Sequence, residues 1–199
     1  PPGTAVTFSR VCIVDRSRLS IDRLMLAATV AVARAVEPWV QPKQVQVRWP
    51  NDLLIDGKKT VGILVETFPL LTDISTMAAV IGVGINVSLD PKQFATQSPE
   101  LVNQVTSLAA HGRPVDRLLV LASTLQHLDR CLAETDLGSL VAAWRDRCPM
   151  LTKQVSLRSD GRTVRGQVVD LDPSAGLIVR TDAGTLVHLP AATTSLLPS

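Results

Sequence analysis

Two short apolar runs joined by an Asp-Gly pair constrain the fold of this chain more than any other feature. Val45 and Val47 alternate with polar residues, which is the period of a strand with one buried face. Asp56 and Gly57 form the two-residue sequence preferred by type I′ hairpins, because both positions need positive φ. The returning strand is predicted over residues 60–66. The pattern therefore predicts a β-hairpin inside a larger sheet.

Further elements surround this hairpin and set the fold class. Residues 6–14 predict an earlier strand, and residues 77–87 predict another strand after the hairpin. Ser20 is suited to cap a helix that ends near Val36, since Pro38 is expected to stop it. Together these elements predict an α+β fold, with a mixed, largely antiparallel sheet against which helices pack.

The second half of the chain changes in character near residue 150. Residues 88–115 are loop-like, and Asp116 is expected to cap a helix that buries a leucine stripe, namely Leu118, Leu121, Leu125, Leu128 and Leu132. A shorter helix is predicted from about Ser139. From Thr152 onward, short alternating strands separated by turn sequences predict a small all-β module. We therefore predict two domains, residues 1–149 and residues 150–199.

Composition narrows the class of protein. The 199 residues are 46% hydrophobic and 19% charged, which suffices for a substantial core. Lys and Arg number 20 against 18 for Asp and Glu, a balance that argues against a dedicated nucleic-acid surface. The three cysteines lie at neither zinc nor redox spacing, and no apolar run reaches membrane-spanning length. A reducing cytoplasm is the expected location.

Polar side chains at the hairpin are the first candidates for a site. Asn51 and Asp52 follow a proline, so they either stabilise a bend through their own backbone or bind a polar ligand such as a ribose. Lys59 is either a solvated charge that discourages edge pairing or an ammonium at the rim of a pocket. Its position at the start of an otherwise apolar strand favours the second interpretation.

The glycine-containing strand is the second candidate. Gly82 and Gly84 lack the third glycine of a phosphate loop, and their segment reads as a strand. They either permit close helix packing or leave room for a flat ligand, and Asn86 follows at the end of the strand. The dispersed histidines predict no catalytic triad. A metal, if one is used, is expected to be Mg²⁺ carried by a nucleotide.

These motifs together resemble the biotin–protein ligases. The segment 48–66 is similar to the family's Lys-Trp-Pro-Asn-Asp motif followed by a hairpin, a Lys and a Gly-Ile-Leu-x-Glu strand, with Arg48 in place of the first Lys. Residues 82–86 match its Gly-x-Gly-x-Asn strand, and residues 106–108 look like its Thr-Ser-Leu element. The final module resembles the family's C-terminal β-barrel of the Src-homology-3 type.

The resemblance implies an enzyme that activates biotin with ATP and attaches it to a lysine of a biotin carboxyl carrier protein. Lys59 would be catalytic, and Asp52 would approach Mg²⁺ through the nucleotide. The nucleotide would be bound by Arg48, Asn51, Asp52 and Asn86. Biotin would be bound by Lys59, Gly62, Leu64, Gly82, Val83 and Gly84. The sequence leaves open whether the chain forms a homodimer.

The resemblance also predicts what lies upstream. The family's Gly-Arg-Gly-Arg-x-Gly-Arg loop would precede Pro1, so we expect that the chain is N-terminally truncated and, alone, binds biotinyl-adenylate weakly. Two alternatives stay open: a non-catalytic module that binds biotin or its adenylate, and a lipoate–protein ligase. No winged helix is found in this sequence, so DNA binding has no support from it.

Overall fold

A computed structural model of the chain describes residues 3–16, 20–70, 73–94, 98–99, 101–112 and 114–197. These residues form two five-stranded antiparallel sheets and four α-helices. The first sheet contains β1 (Ala5–Asp15), β2 (Val45–Arg48), β3 (Asp52–Ile55), β4 (Lys58–Leu70) and β5 (Asp73–Asn86). The second sheet contains β6 (Gln154–Ser159), β7 (Arg162–Asp172), β8 (Gly176–Thr181), β9 (Leu186–Leu189) and β10 (Thr194–Leu196). The predicted α+β class is confirmed.

The first sheet joins the predicted hairpin to the strands predicted before and after it. Its order is β1-β5-β4-β3-β2, so the strands of the hairpin region are sequential neighbours and β1 pairs with β5. The turn between β3 and β4 has φ of 51° at Asp56 and 74° at Gly57, the left-handed conformation that an Asp-Gly turn was expected to supply.

The helix α1 (Ile21–Val40) packs across one face of this sheet. Ser20 caps it as predicted, because its hydroxyl accepts a hydrogen bond of 3.0 Å from the backbone N–H of Arg23. The predicted end of the helix at Val36 is wrong, since Pro38 lies inside the last turn. A proline near a helix end removes a single hydrogen bond, and the burial of Val40 (1% exposed) holds the final turn in place.

The remaining helices are α2 (Leu101–Gln104), α3 (Arg117–Ala133) and α4 (Leu137–Arg145). Asp116 caps α3 as predicted, but the buried face of that helix is centred on Val120, Thr124 and Leu128. Leu118, assigned to the buried stripe by sequence, is 73% exposed. The sequence pattern missed Thr124 because its hydroxyl is satisfied within the helix, by donating to the carbonyl of Val120 at 2.7 Å.

The second sheet has the order β10-β6-β7-β8-β9 and the size expected of the small C-terminal barrel. Among the described residues, the edge strands β10 and β9 do not pair with each other, so the ladder does not close. Two glycines allow close backbone approach within it. A Cβ on Gly166 would lie 2.2 Å from the carbonyl oxygen of Arg180, and one on Gly176 would lie 2.1 Å from that of Leu189.

Several polar contacts join the second sheet and its turns to the helices α1 and α4. The Ser20 hydroxyl donates to the carbonyl of Pro173 at 3.0 Å. The buried carboxylate of Asp22 accepts a hydrogen bond of 2.8 Å from the backbone N–H of Ala191. Arg145 and Asp170 form an ion pair. The predicted domain boundary at residue 149 stays a prediction.

The cysteines play no disulfide role in the structure. Cys12, Cys131 and Cys148 are free. Burial raises the pKa of the Cys148 thiol to about 11, which keeps it protonated and unreactive near neutral pH. Within the described ranges, none of the helices combines the length and apolar character needed to span a membrane.

Candidate functional site: a glycine-floored pocket beside Lys59

One face of the first sheet carries the predicted glycines. Gly62 of β4 pairs directly with Gly84 of β5, and Leu64 pairs with Gly82. Side chains of successive residues point to opposite faces of a sheet, so these four positions share one face. Val83 belongs to the other face, where it is buried in the core. A ligand on the glycine face can therefore meet Val83 only through its backbone.

A cavity of about 300 Å³ lies over Gly62 and Gly84. Lys59 and Asn86, both predicted as site residues, line it as well. The sequence prediction missed the rest of its lining, which is Ala5, Thr7, Thr60, Val61, Ile85, Leu89, Leu101 and Val105. The side chains of Val61 and Ile85 are buried on the core face, so these two residues line the cavity through their backbone. Small ligands bind in concave, mainly apolar pockets with a few polar groups, and this cavity has that character.

A β-bulge places Lys59 on the glycine face. In the β3–β4 ladder Leu53 pairs with Val61, but Leu54 pairs with Lys59, so Thr60 is an extra residue. Strict alternation along β4 would put Lys59 on the core face with Val61. The bulge reverses this alternation, as bulges beside functional sites commonly do. A Cβ on Gly62 would lie 3.3 Å from both Cε and Nζ of Lys59.

The ammonium of Lys59 ends beside a carboxylate. Its Nζ lies 2.5 Å from Oδ1 of Asp52, which is opposite Gly62 in the ladder. Oδ2 of Asp52 accepts two hydrogen bonds from Arg48, at 2.7 Å from Nη2 and 3.2 Å from Nε. Asp52 is only 9% exposed. Three of the predicted site residues therefore form one connected charge cluster, with Asp52 between the two cations.

The Thr-Ser-Leu segment fixes both Lys59 and Asn86. The ladder between β4 and β5 ends at the pair Val61–Ile85, and beyond that point Val105 forms a parallel bridge with Lys59. The backbone N–H of Thr106 donates to the carbonyl of Lys59 at 2.9 Å. The Asn86 amide donates to the carbonyl of Thr106 at 3.0 Å. The sequence indicated this segment only through family resemblance, because its contacts join residues distant in the chain.

His111 lies behind this segment. Its side chain is 5% exposed, and its Nε2 lies 3.4 Å from the hydroxyl oxygen of Thr106. Burial, with a smaller contribution from Lys43, lowers the pKa of His111, while Asp56 opposes that shift. The neutral ring therefore supports the site from behind.

Other predicted residues lie near the pocket rather than in its lining. The backbone carbonyl of Asn51 accepts a hydrogen bond of 2.9 Å from Ile63 N–H, which is a structural role compatible with either prediction for its side chain. Leu64 is 55% exposed on the glycine face and contacts the space above Gly82. These two residues flank the pocket toward the middle of the sheet.

A second cavity, of about 730 Å³, opens where the two sheets meet. Arg48 lines it together with Lys153 and Arg165 from the second sheet, and Asp182 supplies a negative charge. Its walls also include Met150 and the apolar end of β10. Arg48 therefore borders this larger space while its guanidinium is bound to the carboxylate that contacts Lys59.

The described residues offer little to a metal. Within the described ranges, no group of three or more His, Cys, Asp or Glu side chains is arranged to hold a metal ion. Asp52 is the predicted contact for nucleotide-borne Mg²⁺, but each of its oxygens faces a cation. In this arrangement it does not fit as a metal ligand.

Comparison with protein families gives two matches. The sequence model of the Biotin/lipoate A/B protein ligase family matches residues 1–86, which include β1–β5. That of the Biotin protein ligase C terminal domain matches residues 151–197, which include the second sheet.

Comparison with individual proteins agrees. The chain is 27% identical to the Bifunctional ligase/repressor BirA of Bacillus subtilis, over 92% of the chain and 55% of that protein. It is 28% identical to the Biotin--[acetyl-CoA-carboxylase] ligase of Mycobacterium tuberculosis, over 90% of the chain and 67% of that protein. The chain thus spans about half to two thirds of the length of these curated relatives.

Solved structures share the fold. The biotin protein ligase of Aquifex aeolicus, in complex with biotin and ATP, superposes with a TM-score of 0.77 at 23% identity, covering 98% of the chain and 79% of that structure. Lipoate-protein ligase A bound with ATP gives a TM-score of 0.52 at 13% identity, covering 72% of the chain and 60% of that structure. The second likeness covers less of the chain and is looser.

Proposed function

The chain belongs to the biotin protein ligase family, and we propose on that basis that it carries the ligand-binding core of an enzyme that activates biotin with ATP. The acceptor would be a lysine of a biotin carboxyl carrier protein. The relatives named as biotin ligases and the solved ligase with biotin and ATP support this proposal.

The pocket over Gly62 and Gly84 is the observation that carries the proposal. Its floor lacks side chains at these two positions, its walls are mainly apolar, and Lys59 supplies a cation at the edge. Biotin has a compact ring system, an aliphatic chain and one carboxylate at the end. A pocket of this size and polarity suits such a molecule, with the carboxylate turned toward the ammonium.

Lys59 would act where negative charge accumulates. A biotin carboxylate oxygen attacks the α-phosphorus of ATP, a new oxygen–phosphorus bond forms, and the bond to the departing pyrophosphate breaks. In the second step the carrier lysine attacks the carbonyl carbon, and AMP leaves. A fixed ammonium beside the reacting carboxylate and phosphate stabilises both transition states without reorganisation at the moment of reaction.

The nucleotide would occupy the polar side of the site. Arg48 uses only Nε and Nη2 to donate to Asp52, so its remaining N–H groups can bind a phosphate. Asn86, held by Thr106 at the pocket edge, and Asn51 would complete this side. Mg²⁺ bound with the nucleotide would offset phosphate charge, but Asp52 does not fit as its ligand.

We also propose a cellular location and a protein partner for the enzyme. The three free cysteines agree with a reducing cytoplasm. A carrier-protein domain is the proposed partner. Whether two copies of the protein form a homodimer is a question for a measurement of its mass in solution. Lipoate ligation is the second candidate, because the matching family model covers both biotin and lipoate ligases.

Transfer to a carrier tests the proposal as a whole. The full-length protein is incubated with ATP and an isolated carrier domain, with either biotin or lipoate, and the carrier is weighed by mass spectrometry. We expect a carrier heavier by one biotinyl group and no gain with lipoate. A gain only with lipoate would favour the second candidate, and no gain with either would leave a non-catalytic binding module.

A further inference from the structure

The carboxylate of Asp52 points to a role that differs from nucleotide or metal binding. Asp52 lies opposite Gly62, and the Lys59 side chain passes 3.3 Å from the place where a Cβ of Gly62 would lie, with its Nζ beside Oδ1 of Asp52. From this contact we propose that Asp52 is a positioning residue for Lys59. The inference rests on the proposed function, because it assigns a task within that reaction.

The backbone alone does not determine where the ammonium lies. The bulge at Thr60 and the hydrogen bond from Thr106 N–H to the Lys59 carbonyl fix the start of β4. Four rotatable side-chain bonds still separate that backbone from Nζ. A lysine ammonium is a flexible point charge, so a second anchor is needed to hold it over the pocket. Asp52 supplies that anchor at 2.5 Å.

Arg48 in turn holds Asp52 in place. Nε and Nη2 of Arg48 both reach Oδ2, which leaves Oδ1 facing Lys59. The 9% exposed carboxylate gains two charge-assisted hydrogen bonds from Arg48 and an ion pair with Lys59, and a neutral amide would not reproduce this combination. The cluster has two positive charges and one negative, so one positive charge is left to meet an anionic substrate. An Asp therefore suits this position better than an Asn.

Steady-state kinetics can distinguish positioning of Lys59 by Asp52 from binding of the nucleotide or its Mg²⁺ by Asp52. If Asp52 only positions Lys59, its loss disturbs the transition state and leaves ground-state binding of ATP almost unchanged. If Asp52 binds the nucleotide or its Mg²⁺, its loss raises the KM for ATP or the Mg²⁺ concentration that supports half-maximal rate.

The test is Asp52→Asn in the full-length protein. Adenylation is followed at varied ATP, biotin and Mg²⁺. We expect kcat to fall about 10²-fold, the effect of a misplacement of roughly 1 Å, while both KM values and the Mg²⁺ requirement stay at wild-type levels. Asp56→Asn is the matched control, because Asp56 pairs with Lys43 at the exposed tip of the same hairpin. The control should retain the wild-type kcat.

A double-mutant cycle with Lys59→Met completes the test. Residues that act as one unit are not additive, so the double variant should be no slower than Lys59→Met alone. If Asp52→Asn does not fold, as judged by its thermal melt, Asp52→Glu replaces it with the same criteria. An unchanged kcat, a raised KM for ATP, a raised Mg²⁺ requirement or additive losses would overturn the inference. An inactive wild-type protein would instead refute the proposed function.

Discussion

Gly62 and Gly84 are direct cross-strand partners, and together they form the floor of the pocket beside Lys59. A Cβ on Gly84 would meet no atom closer than the Gly62 carbonyl oxygen at 4.0 Å. The fold therefore has room for a side chain at this position. A side chain here would occupy space that a ligand resting on the pocket floor needs.

Gly84→Ala is expected to weaken biotin binding while leaving the fold intact. Overfilling a fitted site typically costs about 1–3 kcal/mol, or roughly 5–150-fold in affinity. Replacing glycine in a strand also restricts the unfolded chain, so the melting temperature should stay equal or rise. Calorimetric titration with biotin measures the first effect and a thermal melt the second. Ala78→Val, on the same face of β5 but outside the pocket, is the control and should bind normally.

Lys59→Ala is expected to remove most of the activity and to lower the stability of the fold only slightly. Loss of one group that stabilises transition-state charge typically slows a reaction about 10²–10³-fold. Its neighbour Lys58 also begins β4 and lines no part of the pocket. Lys58→Ala should therefore retain the wild-type rate of adenylation. Equal rates for the two variants would remove Lys59 from the mechanism.

Much of the first sheet is predictable because its signals are local. The alternation in β2 and the Asp56-Gly57 turn fix the hairpin before any tertiary contact is considered. The bulge at Thr60 is different. Nothing in the local pattern distinguishes an extra residue from a regular strand, so strict alternation would have turned Lys59 toward the core. Only the ladder with β3 reveals which face it occupies.

The pocket walls were missed for a related reason. Leu101 and Val105 lie in a segment that reads as loop, and they reach the site because Thr106 bonds to both Lys59 and Asn86. These two contacts join residues 47 and 20 positions apart and leave no periodic trace in the sequence. Family resemblance indicated the segment, and its hydrogen bonds now explain why it matters.

The second sheet offers a matched pair of glycines. Gly176 and Gly184 both have positive φ, 93° and 85°, but a Cβ on Gly176 would lie 2.1 Å from the Leu189 carbonyl oxygen, whereas one on Gly184 would meet nothing within 4 Å. Gly184→Ala should cost about 1–2 kcal/mol through its backbone conformation alone. Gly176→Ala must also separate β8 from β9, so its loss should be clearly larger. Urea unfolding of both variants measures the difference; equal losses would contradict the close approach.

Because of Asp22, the stability that the contact between α1 and the second domain contributes should depend on pH. Burial is the main cause that raises its pKa above the ordinary value. The folded state then holds the proton more tightly than the unfolded state, so this stabilisation is complete below the ordinary pKa and is lost as pH rises through the raised one. Asn at this position can still accept the Ala191 hydrogen bond without ionising.

Asp22→Asn should therefore gain stability relative to wild type as pH increases from about 4 to 7. Thermal melts of both proteins across this range provide the comparison. Asp160→Asn, at an exposed turn of the second sheet, controls for loss of one negative charge. A stability difference that stays constant with pH, or that grows toward acid, would contradict the buried, proton-binding state of Asp22.

The most direct measurement is biotin-dependent exchange of labelled pyrophosphate into ATP, because it reports the first chemical step without any carrier protein. The account predicts that the full-length wild-type protein catalyses exchange with biotin and not with lipoate, and that Lys59→Ala slows it about 10²–10³-fold. Absence of exchange in folded wild-type protein that binds biotin would contradict the account, as would undiminished exchange by the Lys59→Ala variant.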